Sequence, residues 1–312
     1  MRKLSERQRA PASIDCLGMG IMPLDLLYTI DRFPPAGGKV NATDLCVQGG
    51  GPVPNALVGL SRLGLSTALI AVRGEDWAGQ LGLAELQKEK VDCRHIIVKR
   101  ASSATAAGFI ERGSGRRTIA FYREVGIRPS DLNTSDYPIP RVVHLDGRDL
   151  KAAIKLARWG KRVGAMVSFD IGSIRNDVSP IFPLVDHLVV ADSYAFPFTG
   201  TRTVRQAIKR LAKNCSGCIV VTQGTRGAMG FERGIFTRHP AYRVAVADTT
   251  GAGDAFHVGY LCGLLRGRPM YERLRLGAAT AALKCTKSGG RAGMPRRRQL
   301  NLFLAGNPKV YD

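Results

Sequence analysis

The residues whose types and spacing are best suited to catalysis lie at 248–254, Asp-Thr-Thr-Gly-Ala-Gly-Asp, directly before an apolar segment with helical spacing. The first amides of a helix have no intrahelical partner and carry partial positive charge, so those of Gly251, Ala252 and Gly253 can converge on an anion. Asp254, in the first helical turn, can then accept a proton from a hydroxyl that attacks a phosphate. The turn indicates phosphoryl transfer, although an ordinary N-cap with a tight turn has the same local pattern.

The whole motif resembles the C-terminal signature of the ribokinase-like (PfkB) family of carbohydrate kinases. This resemblance implies that the Gly-Ala-Gly amides form an anion hole for the transferring phosphate and that Asp254 is the general base. The segment 48–55, Gln-Gly-Gly-Gly-Pro-Val-Pro-Asn, resembles the N-terminal signature of the same family, in which glycine amides and an asparagine bind sugar hydroxyls. The resemblance therefore assigns four residues to the sugar site, namely Asp25, Gly50, Gly51 and Asn55.

The segment 222–227, Thr-Gln-Gly-Thr-Arg-Gly, is a hairpin turn when taken alone, and it resembles the family segment that lies near the ATP phosphates. A Walker A loop and the protein-kinase motifs are absent from the sequence, so ATP must be held by loops of another kind. The resemblance implies a nucleotide site that includes Thr222, Gly224, Gly227 and Cys285.

Two metal sites follow from the same resemblance. A monovalent cation, for which K⁺ is the candidate, is implied near the glycine-rich turn, bound by backbone carbonyls of Lys284, Lys287 and Gly289 and completed by Asp248 and Thr250. Many relatives also organise Mg²⁺ through an Asn-x-x-Glu motif, but the corresponding segment 191–194 is Ala-Asp-Ser-Tyr. Asp192 is the substitute candidate, because a hard cation prefers carboxylate or water oxygens.

Strand-like and helix-like segments alternate from residue 65 onward, and a β-type run at 242–247 precedes the glycine-rich turn. Such alternation predicts an α/β three-layer sandwich with a mostly parallel central sheet. Extended pairs at about 21–48 and 101–125 predict a small β-sheet lid, through which relatives often form homodimers. Residues 1–13 are predicted to be a disordered tail, and 14–312 a single kinase domain. A dinucleotide fingerprint after the first strand fails, because Pro23 replaces its third glycine.

Composition excludes several other classes. The net charge of +21 raises the possibility of nucleic-acid binding, but the basic clusters are short and carry no interleaved aromatic residues. The seven cysteines are odd in number and lie within apolar runs, so they are expected to be reduced thiols; the pair Cys215 and Cys218 lacks the further ligands of a zinc site. No apolar run approaches ~18 residues and no signal-peptide core is present, so a cytoplasmic protein without membrane or nucleic-acid partners is expected.

The acceptor is the least determined part of the prediction. Segments 144–148 and 282–295 look most like those of ketose kinases, but nucleoside, ribose and 2-keto-3-deoxygluconate acceptors stay open, as does a non-catalytic sugar- or nucleotide-binding module. Lys39 and Arg148 fit places where ketose-kinase relatives carry basic residues that face the sugar. They are either solvated surface cations or the ligands of an anionic group on the acceptor.

Overall fold

A computed structural model describes residues 13–113, 116–173, 176–306 and 308–311 of the chain. Thirteen strands lie in these ranges: β1 Ile14–Met19, β2 Leu24–Ile30, β3 Asp44–Gly49, β4 Thr67–Arg73, β5 Ile96–Val98, β6 Thr105–Glu111, β7 Arg117–Tyr122, β8 Pro140–Leu145, β9 Met166–Ile171, β10 His187–Ala191, β11 Cys218–Thr222, β12 Ala228–Glu232 and β13 Ile235–His239. The same ranges hold eight α-helices: α1 Pro52–Arg62, α2 Trp77–Lys88, α3 Leu150–Val163, α4 Asp192–Thr199, α5 Val204–Leu211, α6 Ala252–Leu265, α7 Met270–Cys285 and α8 Arg297–Ala305.

Nine strands form the central sheet, in the order β13-β12-β11-β10-β9-β8-β1-β4-β5. The strands from β11 to β5 are parallel, whereas β12 and β13 add an antiparallel hairpin at one edge. Because parallel strands are joined by crossovers, helices lie on both faces. Leu156 of α3 and Ile208 of α5 belong to the core on one face, and Leu57 of α1 and Leu261 of α6 to the other. The predicted three-layer α/β sandwich is confirmed.

The lid sheet consists of β3, β2, β6 and β7, in that order. Its strands occupy residues between 24 and 49 and between 105 and 122. Residues that pair across neighbouring strands point to the same face, so the register sorts the side chains into two sets. Asp25, Ala106 and Phe121 share one face, whereas Tyr28 and Leu45 share the other. The first face carries the sugar-site candidate Asp25, and we call it the inner face.

One local prediction is wrong, two elements were not predicted, and one prediction falls almost wholly outside the described residues. Residues 242–247 are not a strand, since only Tyr242 forms a bridge, with Val310, and the segment instead lines a cavity described below. The hairpin of β12 and β13 and the helix α4 were not predicted, because short segments with glycine or an internal proline give weak periodicity. The predicted disordered tail is outside the described residues, apart from residue 13.

The cysteines and the helix lengths bear on the predictions made from composition. All seven cysteines are free, and Cys218 Sγ lies 3.1 Å from the Tyr260 hydroxyl in the core rather than in a metal shell. Throughout the described ranges, every helix is too short or too polar to cross a membrane.

Candidate active site

The glycine-rich turn connects the cavity-lining segment to α6. Gly251 is the N-cap of this helix and has a φ of 74°, a conformation that favours glycine. The amide of Ala252 donates to the Thr249 carbonyl at 3.1 Å, whereas the amides of Gly251 and Gly253 have no backbone acceptor among the described residues. Of the three amides predicted to bind phosphate, those of Gly251 and Gly253 are therefore the available donors.

Two cavities meet at this turn. One, of about 460 Å³, is lined by Asp254 together with charged residues from the ends of β8 and β9 and from the lid sheet, among them Arg117, Asp146, Arg148 and Asp170. The other, of about 250 Å³, is lined mainly by small and apolar side chains of α6, α7 and 241–246. Gly253 lines both cavities, so a group held at its amide lies between the two. We call the first the acceptor cavity and the second the nucleotide cavity.

Asp254 is held in place by a chain of buried polar groups. Nδ2 of Asn55 donates to Oδ2 of Asp254 at 2.7 Å, and Oδ1 of Asn55 accepts from Nε of Arg291 at 2.8 Å. The amide orientation is consistent, because the NH₂ group faces a carboxylate and the oxygen faces a guanidinium. Burial raises the pKa of Asp254, and the neighbouring charge of Asp170 raises it further. A carboxylate with a raised pKa is a better proton acceptor than an exposed one.

Arg291 is the buried centre of this hydrogen-bond network. Its Nη2 donates to the Gly50 carbonyl at 3.1 Å, and its Nη1 lies 3.1 Å from Oε2 of Glu85. The same Glu85 oxygen accepts from the Gly49 amide at 2.6 Å. Arg291 thereby joins α2, the start of α1 and, through Asn55, the predicted base.

Asp25 lies on the inner face of β2, packed against Gly50. A Cβ at Gly50 would lie 2.2 Å from Oδ2 of Asp25, so only glycine leaves room for the carboxyl. Burial raises the pKa of Asp25 to about 7; the charge of Arg291 opposes this shift, and that of Asp254 adds to it. The Gly50 amide donates to the Pro23 carbonyl at 2.8 Å and is not free for a sugar hydroxyl. Gly51 begins α1 with a φ of 92°.

The two predicted anion ligands have different positions. The Arg148 guanidinium lies over the Phe121 ring of the inner lid face, 5.6 Å from its centroid, and Arg148 lines the acceptor cavity. Lys39 is exposed in the connection between β2 and β3 and is not among the residues that line this cavity. Arg117 of β7 reaches it instead, with Nη1 donating to Oγ1 of Thr250 at 3.1 Å. The structure therefore brings Arg117 and Arg148, rather than Lys39 and Arg148, to the cavity.

Two further carboxyls line the acceptor cavity. Asp146 accepts from the amides of Ile21 and Arg148, each at 3.0 Å, and its burial raises its pKa to about 8. For Asp170, burial alone would raise the pKa, but the contact with His257 Nε2 at 3.0 Å lowers it below the ordinary value. Because both carboxyls lie at the carboxyl ends of parallel strands, the edge of the sheet supplies them to the site.

The nucleotide cavity contains all four residues predicted to bind ATP, namely Thr222, Gly224, Gly227 and Cys285. Val244 and Val246 form part of its wall, which explains why 242–247 has strand-like alternation without being part of a sheet. An apolar slot that ends at the amide of Gly253 suits a flat purine with phosphates attached.

The predicted metal ligands are engaged by protein groups. Asp192, the magnesium candidate, begins α4 and lies 2.9 Å from Nη2 of Arg226. Asp248 accepts from the amides of Thr250 and Gly289 at 2.8 and 2.7 Å. The buried Lys284 donates its ammonium to the Asp248 carbonyl at 2.8 Å, so a cation would have to displace this group. At least one oxygen of the implied K⁺ site, the Asp248 carbonyl, is therefore bonded to a side chain.

Sequence reasoning missed three residues of the site: Arg117, Asp146 and Arg291. Asp146 had a signal, since it directly follows a buried strand of the parallel sheet, whereas Asp170 is recognisable from the sequence as the end of the strand-like run at 167–170. Arg117 and Arg291 had none, because their positions depend on how the lid sheet and the segment after α7 pack against the turn.

Comparison with known proteins identifies the family. Residues 13–297 match the model of the pfkB family of carbohydrate kinases. A fructokinase of Klebsiella pneumoniae is 27% identical over 88% of this chain and 96% of its own length. A 2-dehydro-3-deoxygluconokinase of Bacillus subtilis is 26% identical over 84% and 88%. The Arabidopsis thaliana ribokinase complexed with ribose and ATP has a TM-score of 0.80 and 23% identity, covering 93% of this chain and 98% of its own, and it shares the fold.

The chain belongs to the PfkB family of carbohydrate kinases. It is accordingly a phosphotransferase that acts on a sugar hydroxyl.

Proposed function

We propose that this kinase transfers the γ-phosphoryl group of ATP across the glycine-rich turn to a sugar bound in the acceptor cavity. The observation that carries the proposal is that Gly253 lines both cavities while Asp254 lines the acceptor cavity beside it. Asp254 removes the proton of the attacking hydroxyl, and the new O–P bond forms as the bond to the β–γ bridging oxygen breaks, with ADP leaving. The amides of Gly251 and Gly253 and the dipole of α6 stabilise the charge on the phosphoryl oxygens.

The surrounding residues position these groups. Asn55 fixes the carboxylate of Asp254 through its 2.7 Å hydrogen bond, and Arg291 fixes Asn55 in turn. Asp25, on the inner lid face, supplies a carboxyl to a sugar hydroxyl. Thr222, Gly224, Gly227 and Cys285 hold ATP, whose phosphates carry Mg²⁺. Asp192 is the carboxylate at the sheet edge that would contact the ion or its water shell, in exchange for Arg226.

We further propose that the acceptor is a ketohexose or a related sugar with an anionic group. Arg117 and Arg148 line one cavity with Asp254, and no described ion pair of the chain includes either guanidinium. A guanidinium binds carboxylate, sulfonate or phosphate through paired N–H groups. Among the relatives, the fructokinase acts on a neutral ketose and the 2-dehydro-3-deoxygluconokinase on a sugar acid, so both types of acceptor occur.

A coupled assay of ADP release tests the proposal. The panel contains neutral ketoses, a sugar acid, a sulfonated and a phosphorylated ketose, ribose and nucleosides. We expect the highest kcat/KM with an anionic ketose or sugar acid. Equal kcat/KM for neutral and anionic ketoses would contradict the anionic group and indicate a kinase for neutral ketoses. Preference for ribose or a nucleoside would contradict the ketose assignment as well.

We also propose a homodimer that forms through the outer face of the lid sheet. The register places Leu45, Val47 and Tyr122 on this face, and these side chains are 48%, 37% and 54% exposed. Several exposed apolar groups on one flat sheet are typical of a protein–protein contact. A second copy of the chain would cover them while leaving the inner face over the acceptor cavity.

A further inference from the structure

A buried ammonium group lies behind the glycine-rich turn. Lys284, in the last turn of α7, has a side chain with no exposed surface. Its Nζ donates to the carbonyl oxygen of Asp248 at 2.8 Å and lies 3.9 Å from Oδ2 of the same residue. Burial of a charged group is costly unless opposite charge and hydrogen bonds compensate for it. Asp248 supplies both compensations, so the two residues form one unit.

This unit joins the two segments that surround the phosphoryl-transfer turn. Asp248 accepts from the Thr250 amide through Oδ1 and from the Gly289 amide through Oδ2, while its carbonyl accepts from Lys284. Each oxygen of Asp248 is thus used to hold a neighbouring segment. Displacement of the ammonium would free the carbonyl at the point where the chain enters the turn.

The carbonyl of Lys284 does not fit a metal-ligand role. It accepts from the Lys287 amide at 3.3 Å, and a Cβ at Gly293 would lie only 2.1 Å from it, so the chain at Gly293 covers this oxygen. A monovalent cation requires several backbone or carboxylate oxygens that converge on one point. Here the ammonium of Lys284 donates to the carbonyl of Asp248, and the carbonyl of Lys284 faces the Lys287 amide and Gly293.

We propose that the Lys284 ammonium takes the place of the monovalent cation that the family resemblance implies, and that Lys284 is a positioning residue for the glycine-rich turn. The proposal rests on the role assigned above to the 248–254 turn in phosphoryl transfer. The positively charged ammonium inside the protein fixes the Asp248 carbonyl and adds to the positive potential at the amides of Gly251 and Gly253. The enzyme therefore requires no K⁺ for activity.

The first test uses the wild-type enzyme. Sugar phosphorylation and the thermal midpoint Tm are measured in KCl and in choline chloride at equal ionic strength, in a buffer without ammonium. We expect kcat to agree within about twofold and Tm to be the same in both salts, because the Lys284 ammonium already bonds the Asp248 carbonyl. Saturable activation by K⁺ of about threefold or more, or a K⁺-specific rise in Tm, would overturn the proposal.

The second test creates a space for the cation. Lys284→Ala removes the ammonium and leaves the Asp248 carbonyl without its donor, so we expect kcat in choline to fall by about tenfold or more, with at least threefold recovery in K⁺ or NH₄⁺. Tm of this variant should rise with K⁺ and less with Li⁺. Lys155→Ala is the matched control, because Nζ of Lys155 also donates to backbone carbonyls, those of Pro129 and Leu132, but far from the turn.

The outcomes are separable. A Lys284→Ala enzyme with unchanged kcat in choline, or one equally impaired in every salt, would overturn the positioning role. If this variant does not fold, the wild-type comparison decides. If no sugar is phosphorylated at all, the proposed function fails, whereas the Tm measurements in K⁺ and choline still test Lys284.

Discussion

Two guanidiniums of the acceptor cavity differ from most cations of this basic chain in their surroundings. Arg123, also at the cavity, forms an ion pair with Asp149, whereas Arg117 bonds a threonine hydroxyl and Arg148 lies on an aromatic ring. Neutral partners leave the positive charge of a guanidinium available to a ligand. The proposed anionic group of the acceptor therefore rests on these two guanidiniums.

Substitution of Arg148 by alanine tests this assignment. We expect Arg148→Ala to raise KM for an anionic ketose about tenfold or more and to change KM for a neutral ketose little, because a charged hydrogen bond contributes about 1.5–3 kcal/mol. Arg205→Ala is the control, since the Arg205 guanidinium also lies over an aromatic ring, that of Phe236 at 4.5 Å, but outside the cavity. Equal effects on both sugars would show that Arg148 acts through packing.

The raised pKa of Asp146, about 8, predicts a pH dependence of stability. Between pH 4 and 8 the native state keeps a proton that the unfolded state releases, so this carboxyl contributes less stability as the pH rises. Asp146→Asn removes the titration, although it also weakens one hydrogen bond from Ile21 or Arg148 at every pH. The free energy of unfolding of the variant, minus that of the wild type, should therefore increase by up to about 1.4 kcal/mol for each pH unit between about 5 and 7. Urea unfolding across this range measures the difference, and a pH-independent difference would contradict the raised pKa.

Among the helices and strands, the sequence predicts best those segments whose apolar pattern indicates burial. The strands of the parallel sheet are buried on both faces, so their apolar runs were recognisable, and the turn at 248–254 carried its own glycine signature. Periodicity failed at 242–247, because alternating side chains line a cavity there rather than a sheet. It also gave no information on Lys39, whose distance from the site depends on a loop conformation.

Asn55 shows the same limit for a single residue of a recognised motif. The resemblance assigns it to a sugar hydroxyl, whereas in the structure both of its polar groups are bonded to Asp254 and Arg291. Its partner Arg291 lies 236 residues away in the chain, so no local pattern could have revealed the contact. Prediction from sequence supplied the residue types of the site, and tertiary packing determined which of them touch.

At the scale of the whole molecule, the lid sheet has two chemically different faces. Its inner face carries Asp25 and also Arg117, which lines the acceptor cavity, and its outer face carries Leu45, Val47 and Tyr122. Exposed apolar side chains on a flat sheet face are stabilised when a partner surface covers them. A second subunit on the outer face would provide this surface and would also support the lid over the substrate.

We therefore expect light scattering after size-exclusion chromatography to give the mass of a dimer at micromolar concentration. Val47→Glu should convert it to a monomer with a higher KM for the acceptor, because a buried charge without a partner is unfavourable in such an interface. Ile235→Glu, at a 68% exposed position on β13 at the edge of the central sheet, is the matched control and should remain dimeric. A monomeric wild type would contradict the proposed assembly.

We propose that phosphate passes from one cavity to the other at Gly253 with Asp254 as the base, and kcat of Asp254→Asn with the best acceptor tests this claim. The substitution keeps the size and the start of α6 but removes the proton acceptor, so kcat should fall by about 10²–10⁴. The Kd for ATP, measured by calorimetry on the same variant, should stay within about threefold of the wild type, since the nucleotide cavity is unchanged. A variant that retains more than about a tenth of wild-type kcat would contradict the claim, because general-base catalysis of this size could not then reside in Asp254.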